Sequence, residues 1–304
     1  FAERLVVRPG EDVHAALDRA AAGDVVVLEA GNHSGPVLIE KSITLEGAPG
    51  AVLTGPGRGS VVTVVSPGSV VRGLTVRGSG RDLEAMDAGV FVKQSATGAV
   101  VEGNRIEGNL YGIYLHGAED SVARDNIIVG IEEGRVSEAG NGVSVWDAPG
   151  ARVERNDFRF GRDGIFVVAS KRNVFRDNRF RDLRFAVHYM YTNDSQVIGN
   201  ISAGNTVGFA IMYSQRLIVR DNVSDGDLNH GLLLNFANNS EIAGNTVRGR
   251  ILPASRWANT GLRGKEAREH GLPSADEAPA AHTGRVRIGP EKCVFIYNAN
   301  KNRF

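Results

Sequence analysis

The segments FAVHYMYTNDSQVIGN (185–200) and VGFAIMYSQRLIVRDN (207–222) are two copies of one pattern, and they begin 22 residues apart. Each copy ends in an asparagine that recurs along the middle of the chain. These marker asparagines are Asn104, Asn126, Asn156, Asn178, Asn200, Asn222 and Asn245, at steps of 22, 30, 22, 22, 22 and 23 residues. A nearly constant period of this size indicates a solenoid, in which each repeat stacks on its neighbours because it cannot bury its own apolar face.

A second marker keeps the same period and opens short apolar stretches. It consists of Gly89, Gly112, Gly142, Gly164, Ala186, Gly208 and Gly231. Between the markers, Val, Ile and Phe alternate with polar residues, and no helical period of 3.6 residues persists. We therefore predict an all-β fold, a right-handed parallel β-helix with three strands per coil of about 22 residues and coils roughly 4.8 Å apart.

The asparagine column has a structural interpretation. Stacked amides at a tight bend hydrogen-bond from one coil to the next, and we predict such a ladder inside the helix. We assign these asparagines no chemistry.

The pattern predicts one domain over residues 1–304. Residues 1–39 are expected to form the N-terminal cap and first coil, with a short capping helix at 11–22, and residues 89–249 the regular coils. Residues 250–290 lack the period and are predicted to be a loop excursion. Residues 291–304 return to the helix, with Cys293 matching Gly231 at an offset of 62. We expect a processed or trimmed start at Phe1 and further coils, a cap or a partner after Phe304.

Composition excludes several classes of partner. The chain carries 35 acidic and 35 basic residues among its 304, which argues against a nucleic-acid groove or a membrane-surface patch. No apolar run approaches the roughly 20 residues that a membrane span needs. The single cysteine, Cys293, has no partner for an internal disulfide.

Functional side chains should point outward, and the register identifies them two and four residues after each glycine marker. The predicted outward pairs are Phe91/Lys93, Tyr114/His116, Ser144/Trp146, Phe166/Val168, His188/Met190, Ala210/Met212, Leu233/Asn235 and Phe295/Tyr297. Because this wall is aromatic and apolar where a solvated wall would be polar, we expect something to cover or bind it.

Three soft or imidazole donors converge on this wall. His188 and Met190 share a strand face at about 6.6 Å, and Met212 occupies the position of Met190 one coil later, roughly 4.8 Å away. Thioethers suit Cu(I) and imidazole also binds copper, so His188, Met190 and Met212 form the predicted metal site. Packing of the two methionines beneath a loop is the alternative interpretation.

Other candidate ligands are less well placed. His116 lies in the column of Met190 but three coils away, roughly 14 Å, so it would be a waypoint or a surface group. His230 precedes a glycine marker at a turn, where a capping role competes with ligation. Cys293 occupies a marker position, where a small buried residue is expected and a reactive thiolate is the alternative.

The residues of the predicted wall also bear on an enzymatic role. A lyase, hydrolase or epimerase acting on polysaccharides needs paired carboxylates, or a carboxylate with a basic partner, on adjacent coils. On the predicted wall Asp163 stands alone, and no Asp-Pro-His-Asp element occurs. We therefore predict that the chain is not an enzyme and retain a polysaccharide lyase or epimerase as the least favoured alternative.

Four segments carry a specific resemblance: FAVHYMYTNDSQVIGN, VGFAIMYSQRLIVRDN, HGLLLNFANNSEIAGN (230–245) and EKCVFIYNANKNRF (291–304). They resemble the NosD family of periplasmic β-helix proteins in nitrous oxide reductase maturation, and the similarity extends over most of the chain from about residue 30. The resemblance implies a non-catalytic periplasmic role in denitrification. It also implies an ABC-type permease with a cytoplasmic ATPase, nitrous oxide reductase and a copper chaperone lipoprotein as partners, with membrane association only through the permease.

The leading hypothesis is thus delivery of transiently bound copper, in the Cu(I) state, to the reductase. A metal-free structural module that docks on the reductase is the alternative from another class.

Overall fold

The computed structural model describes residues 2–249 and 293–304, which wind into a right-handed parallel β-helix of three sheets. The described strands of sheet 1 are Arg4–Val7, Val25–Leu28, Thr44–Gly47, Val70–Arg72, Val100–Glu102, Val122–Arg124, Arg152–Glu154, Val174–Arg176, Gln196–Ile198, Ile218–Arg220 and Glu241–Ala243. Those of sheet 2 are Gly31–Ser34, Ala51–Thr54, Thr75–Arg77, Arg105–Glu107, Ile127–Val129, Asp157–Arg159, Arg179–Arg181, Ile201–Ala203, Val223–Asp225 and Thr246–Arg248.

Sheet 3 forms the wall on which the candidate metal ligands lie. Its described strands are Val37–Ile39, Val62–Val64, Ala88–Val92, Tyr111–His116, Val143–Trp146, Asp163–Val168, Phe185–Met190, Val207–Gln215, His230–Asn238 and Val294–Tyr297. Each strand pairs in parallel with the equivalent strand one coil away, so Val187 faces Ile165 on one side and Phe209 on the other. The predicted fold class is confirmed.

A short helix, Val13–Arg19, covers the first coil as predicted. The Asp12 carboxylate accepts a hydrogen bond from the backbone N–H of His14, which satisfies one of the free donors at the start of the helix. At the other end, the ammonium group of Lys41 donates to the carbonyls of Asp18 and Ala20. The helix buries Val13 and Leu17 against the coils. A single 3-10 turn, Val136–Glu138, interrupts the longer coil between Asn126 and Asn156.

The asparagine column forms the predicted internal ladder. Asn178 is representative: its Nδ2 donates to Oδ1 of Asn200 at 3.0 Å and to the carbonyl of Val153 at 2.8 Å. Its own Oδ1 accepts from the backbone N–H and the Nδ2 of Asn156, both at 3.0 Å. The ladder thus satisfies buried polar groups at the bend between sheets 1 and 2, which the strand pairing leaves unpaired.

The glycine column is explained by what fills the interior opposite it. A Cβ on Gly164 would lie 2.3 Å from Cδ1 of Phe180 and 2.6 Å from the carbonyl oxygen of Ala186. Phe180 stacks on Phe158 at 4.8 Å, so the ring has no room to withdraw. One coil later Ser202 takes the place of Phe180, and the marker there is Ala186. At Gly164 and Ala186 the marker is thus smaller where the facing side chain is larger, whereas at Gly208 the carbonyl oxygen of Gly231 and Oδ2 of Asp227 take up the space.

The end of the described chain returns to sheet 3 in the predicted register, because Leu232 pairs with Val294 and Asn235 with Tyr297. The expectation that Cys293 is buried is wrong: its side chain is exposed, since no further described coil stacks on this last one. The predicted excursion at 250–290 lies outside the described residues. The division of the chain into a cap, regular coils and that excursion stays a prediction.

Candidate functional site

Sheet 3 presents two columns of side chains on its outer face. Backbone pairing aligns the first outer column as Phe91, Tyr114, Ser144, Phe166, His188, Ala210, Leu233 and Phe295. The second outer column is His116, Trp146, Val168, Met190, Met212, Asn235 and Tyr297. Lys93 follows directly after the strand Ala88–Val92 and is exposed.

This outer face is more covered than the sequence predicts. Phe91, Ser144 and Ala210 belong to the outward set, yet they are buried. The ring of Tyr114 stacks on Phe91 at 5.4 Å, which removes that residue from water. The small side chains of Ser144 and Ala210 lie between larger neighbours in the first outer column. An outward position on this wall therefore means contact with neighbouring coils as well as with solvent.

Met190 and Met212 lie side by side in the second outer column. They are direct partners in the pairing of strands Phe185–Met190 and Val207–Gln215, so their Cα atoms are separated by one coil step of about 4.8 Å. Both side chains are half-buried. Two thioethers on flexible side chains at this spacing are able to bind one ion together.

His188 is held in place from three sides. Its Nδ1 lies 3.1 Å from Oδ2 of Asp163, and the rings of Phe166 and Phe185 contact it at centroid distances of 4.9 and 4.8 Å. Only 14% of its side chain is exposed. Packing of this kind restricts the imidazole to one orientation.

Asp163 is the buried anion behind that histidine. Arg184 donates to both carboxylate oxygens, at 2.9 and 2.8 Å, and only 1% of the Asp163 side chain is exposed. Burial by itself would raise the pKa of Asp163. The hydrogen bonds from His188 and Arg184 together outweigh burial and hold that pKa below its usual range. Asp163 is therefore a carboxylate at neutral pH.

The protonation pattern of His188 follows from this carboxylate. An ionised carboxyl group only accepts hydrogen bonds, so Nδ1 of His188 carries the proton. In the neutral ring, Nε2 then bears the free lone pair. This arrangement, with a carboxylate bonded to one ring nitrogen and the other nitrogen available, is the one that orients histidine ligands in metal sites.

The remaining candidate ligands do not join this group. His116 is three coil steps from Met190 along the second outer column, roughly 14 Å. His230 begins its strand and stacks on Phe295 at 5.3 Å. Cys293 directly precedes Val294–Tyr297, the last described strand of sheet 3. Within residues 2–249 and 293–304, no three His, Cys, Asp or Glu side chains come together as a metal site would require. A metal held at His188 would therefore depend on the methionine sulfurs.

Sequence reasoning missed a ladder of exposed aromatic rings beside the methionines. We call Tyr191, Tyr213 and Phe236 the aromatic ladder; their rings stack at 5.1 and 5.2 Å with interplanar angles of 16° and 12°. Each residue has a left-handed backbone, with φ between 47° and 52°. The signal was present in the sequence, since each ring directly follows a residue of the second outer column.

Comparison with protein families and curated proteins identifies relatives. Residues 131–272 match the family described as "Periplasmic copper-binding protein (NosD)". A protein of Pseudomonas aeruginosa named "Probable ABC transporter binding protein NosD" is 38% identical over 222 residues, which are 73% of this chain and 52% of that protein. A protein of Stutzerimonas stutzeri with the same name is 37% identical over 220 residues, or 72% and 50% of the two chains. This chain spans about half the length of these curated relatives.

Solved structures share the fold at low sequence identity. The family 28 exopolygalacturonase of Yersinia enterocolitica superposes with a TM-score of 0.60 at 12% identity, covering 82% of this chain and 65% of the other. The A-module of an Azotobacter vinelandii mannuronan C-5 epimerase gives a TM-score of 0.52 at 13% identity, covering 78% and 91%. Likeness at this level of identity supports the β-helix alone.

No helix in the described part of the chain has the length and apolar composition needed to cross a membrane.

Proposed function

Because the chain belongs to the NosD family, we propose that it handles copper in the periplasm as an accessory protein for the maturation of nitrous oxide reductase. In this proposal the cargo is Cu(I), held transiently by His188, Met190 and Met212 on the outer face of sheet 3. The role is non-catalytic.

One observation carries the proposal. Met190 and Met212 are direct strand partners, and two residues before Met190 the Asp163 carboxylate leaves Nε2 of His188 free to bind a metal. Thioether sulfur is a poor ligand for hard cations and a good one for Cu(I), and imidazole is also a copper ligand. The donor set therefore fits the cargo that the family description names.

The same donor set suits transfer better than storage. Three neutral ligands leave the coordination sphere of Cu(I) open on the solvent side, where an incoming ligand has access. Both methionines are half-buried, so a partner that docks on sheet 3 reaches their sulfurs without opening the helix. Copper then moves to the partner by ligand exchange, with one protein donor replaced at a time.

The partners proposed here follow the family. They are an ABC-type permease with its cytoplasmic ATPase, nitrous oxide reductase as acceptor, and a copper chaperone lipoprotein as donor. The names of the two curated relatives refer to an ABC transporter, which supports the first of these.

Competition titration of Cu(I) against a chromophoric chelator, under anaerobic and reducing conditions, tests the site. His188→Ala, Met190→Leu and Met212→Leu should each weaken binding, and the triple variant should lose competition with the chelator. Val168→Leu, in the same outer column, and His14→Ala, on the capping helix, serve as controls and should bind as the parent does. A triple variant with parental affinity would refute the site.

The second candidate function is a metal-free docking module for the reductase. The aromatic ladder favours it, because rings exposed by 54%, 39% and 37% lie directly beside the proposed site. Co-purification of the reductase discriminates the two. Docking is favoured if the triple metal-site variant still co-purifies with the reductase and the reductase from those cells keeps its copper. The same proposal expects the variant Tyr191→Ser/Tyr213→Ser to lose both the co-purification and the copper content of the reductase.

A polysaccharide lyase or epimerase is the remaining alternative. The likeness to an exopolygalacturonase and an epimerase, at 12% and 13% identity, shows the shared fold alone and does not favour this activity. Incubation with uronate polymers and analysis of the products tests it.

A further inference from the structure

A groove of about 770 Å³ opens on the same wall near its N-terminal end. It lies between the loop at 80–87 and the first strands of sheet 3, and it is lined by Met86, Asp87, Phe91, Lys93, Gln94 and His116, among others. Met86 is the third of only three methionines in the chain, and the other two form the proposed copper site. The third methionine therefore lines the same groove as a histidine, His116.

The loop holds Met86 in an unusual conformation. Its φ is 59°, a left-handed value that is uncommon for a long side chain. This backbone conformation costs free energy and persists only where the surrounding contacts impose it. The surroundings do so here: Asp82 accepts hydrogen bonds from the N–H groups of Glu84 and Ala85, and the Asp82 N–H donates to the buried Asp87 carboxylate. The backbone N–H of Met86 closes the turn on Leu83 at 3.3 Å. These contacts hold the turn that carries Met86, and Met86 is part of the groove lining.

Aromatic neighbours hold His116, which lines the same groove. Its ring stacks on Trp146 at 4.5 Å with an interplanar angle of 27°, and Phe91 and Tyr114 contact it at 5.5 and 5.7 Å. Packing against these rings restricts the orientation of the imidazole, and imidazole nitrogen is a copper ligand. The ring nitrogens are the only polar atoms that this side chain offers.

Charges around His116 do not exclude a cation. Lys93 lines the groove, and Asp147 directly follows Trp146, on which the His116 ring stacks. A singly charged soft ion fits such a balance better than a divalent one, since Lys93 opposes each added positive charge.

We infer that this groove is a second soft-metal site, in which the thioether of Met86 and the imidazole of His116 bind a monovalent ion, Cu(I) or its analogue Ag(I). The two-donor site lies roughly 14 Å along the second outer column from Met190 and shares no ligand with the first site. It goes beyond the proposed function, because its existence does not depend on His188, Met190 or Met212.

The three methionines make the test direct. Labelling of methionine methyl groups with ¹³C gives three signals, which the variants Met86→Leu, Met190→Leu and Met212→Leu assign. Titration with Ag(I) should shift the Met86 signal in a saturable manner. In His116→Phe, which keeps an aromatic ring against Trp146 but removes the nitrogens, the apparent affinity at Met86 should fall at least tenfold while the other two signals respond as before. Lys93→Gln should tighten binding at Met86.

The outcomes separate the two sites. A Met86 signal that stays in place while those of Met190 and Met212 shift would overturn the second site and leave the proposed function intact. A shift of Met86 alone would support the second site and remove the first. A Met86 response that is unchanged in His116→Phe would also overturn the inference, because it would show binding without the imidazole.

Discussion

Replacement of Asp163 by asparagine tests the central feature of the proposed copper site. Asn is nearly isosteric with Asp, but it has no charge, and its amide nitrogen donates where the carboxylate accepts. Nδ1 of His188 would lose the acceptor that keeps it protonated, and Arg184 would lose its ionic partner. The change acts on the metal ligand from behind and leaves all three donor atoms in the chain.

Two magnitudes follow from the structure. Loss of the carboxylate behind a histidine ligand lowers metal affinity by about 10–100-fold, or roughly 1.4–2.7 kcal/mol. Removal of one partner from a buried ion pair costs about 3–5 kcal/mol of folding free energy, and here about 2–3 kcal/mol is expected since Arg184 remains 22% exposed and Asn keeps one acceptor. Copper affinity and stability should therefore both fall, by separately measurable amounts.

The assay combines three measurements on purified protein. Chelator competition gives the Cu(I) affinity, and urea unfolding followed by circular dichroism gives the folding free energy. Long-range ¹H–¹⁵N spectra of the imidazole report which nitrogen of His188 carries the proton, a readout that a purely structural role for Asp163 would not change. Asp157→Asn is the control, because Asp157 is 42% exposed and lies 3.8 Å from Arg181, so its loss costs below about 1 kcal/mol.

One result would refute this reasoning. If Asp163→Asn binds Cu(I) as tightly as the parent and Nδ1 of His188 remains protonated, the carboxylate does not position the ligand. A loss of affinity that is matched by Asp157→Asn would equally exclude a specific role for Asp163.

Three further predictions concern the fold. Asn178→Ala should cost about 2–5 kcal/mol by urea unfolding, because it leaves the N–H of Asn156 and the carbonyl of Val153 unpaired in the interior, whereas Asn32→Ala on the surface should cost little. Gly164→Ala should destabilise by about 1–3 kcal/mol through its collision with Phe180; a stability equal to that of the parent would show that the coil relaxes freely. Glu46→Gln should cost about 0.5–1 kcal/mol at neutral pH. Hydrogen bonds from Arg4 and Arg72 hold the pKa of Glu46 below its usual range, so this contribution is present above the unfolded pKa of about 4.3 and is lost as pH falls through the lower folded value. A stability difference that persists at pH 2 would contradict the assignment.

Much of the fold was predictable because its periods are encoded locally. Alternation along a strand determines which side chains point inward, and a repeat of 22 residues determines which of them stack. These two facts were sufficient to predict that Asn178 bonds to Asn200 and that Met190 lies beside Met212. No knowledge of loops or rotamers was needed.

The expectation for Cys293 was wrong because the repeat describes an average coil. A marker position is buried only where another coil covers it, and Cys293 lies on the last described one. The buried Ala210 on the outer face departs from expectation for a related reason, since the exposure of a side chain depends on the size of its neighbours.

The amino-acid sequence by itself determined the β-helix, the register of sheet 3 and the shared face of His188, Met190 and Met212, because strand and coil periods act over a few residues. Only the tertiary structure decided which nitrogen of His188 is free and that Met86 and His116 line one groove. The protonation of His188 depends on Asp163, 25 residues earlier, and the position of Met86 depends on the path of an irregular loop. Side-chain orientation and loop path are set by contacts between coils, and no local spacing encodes them.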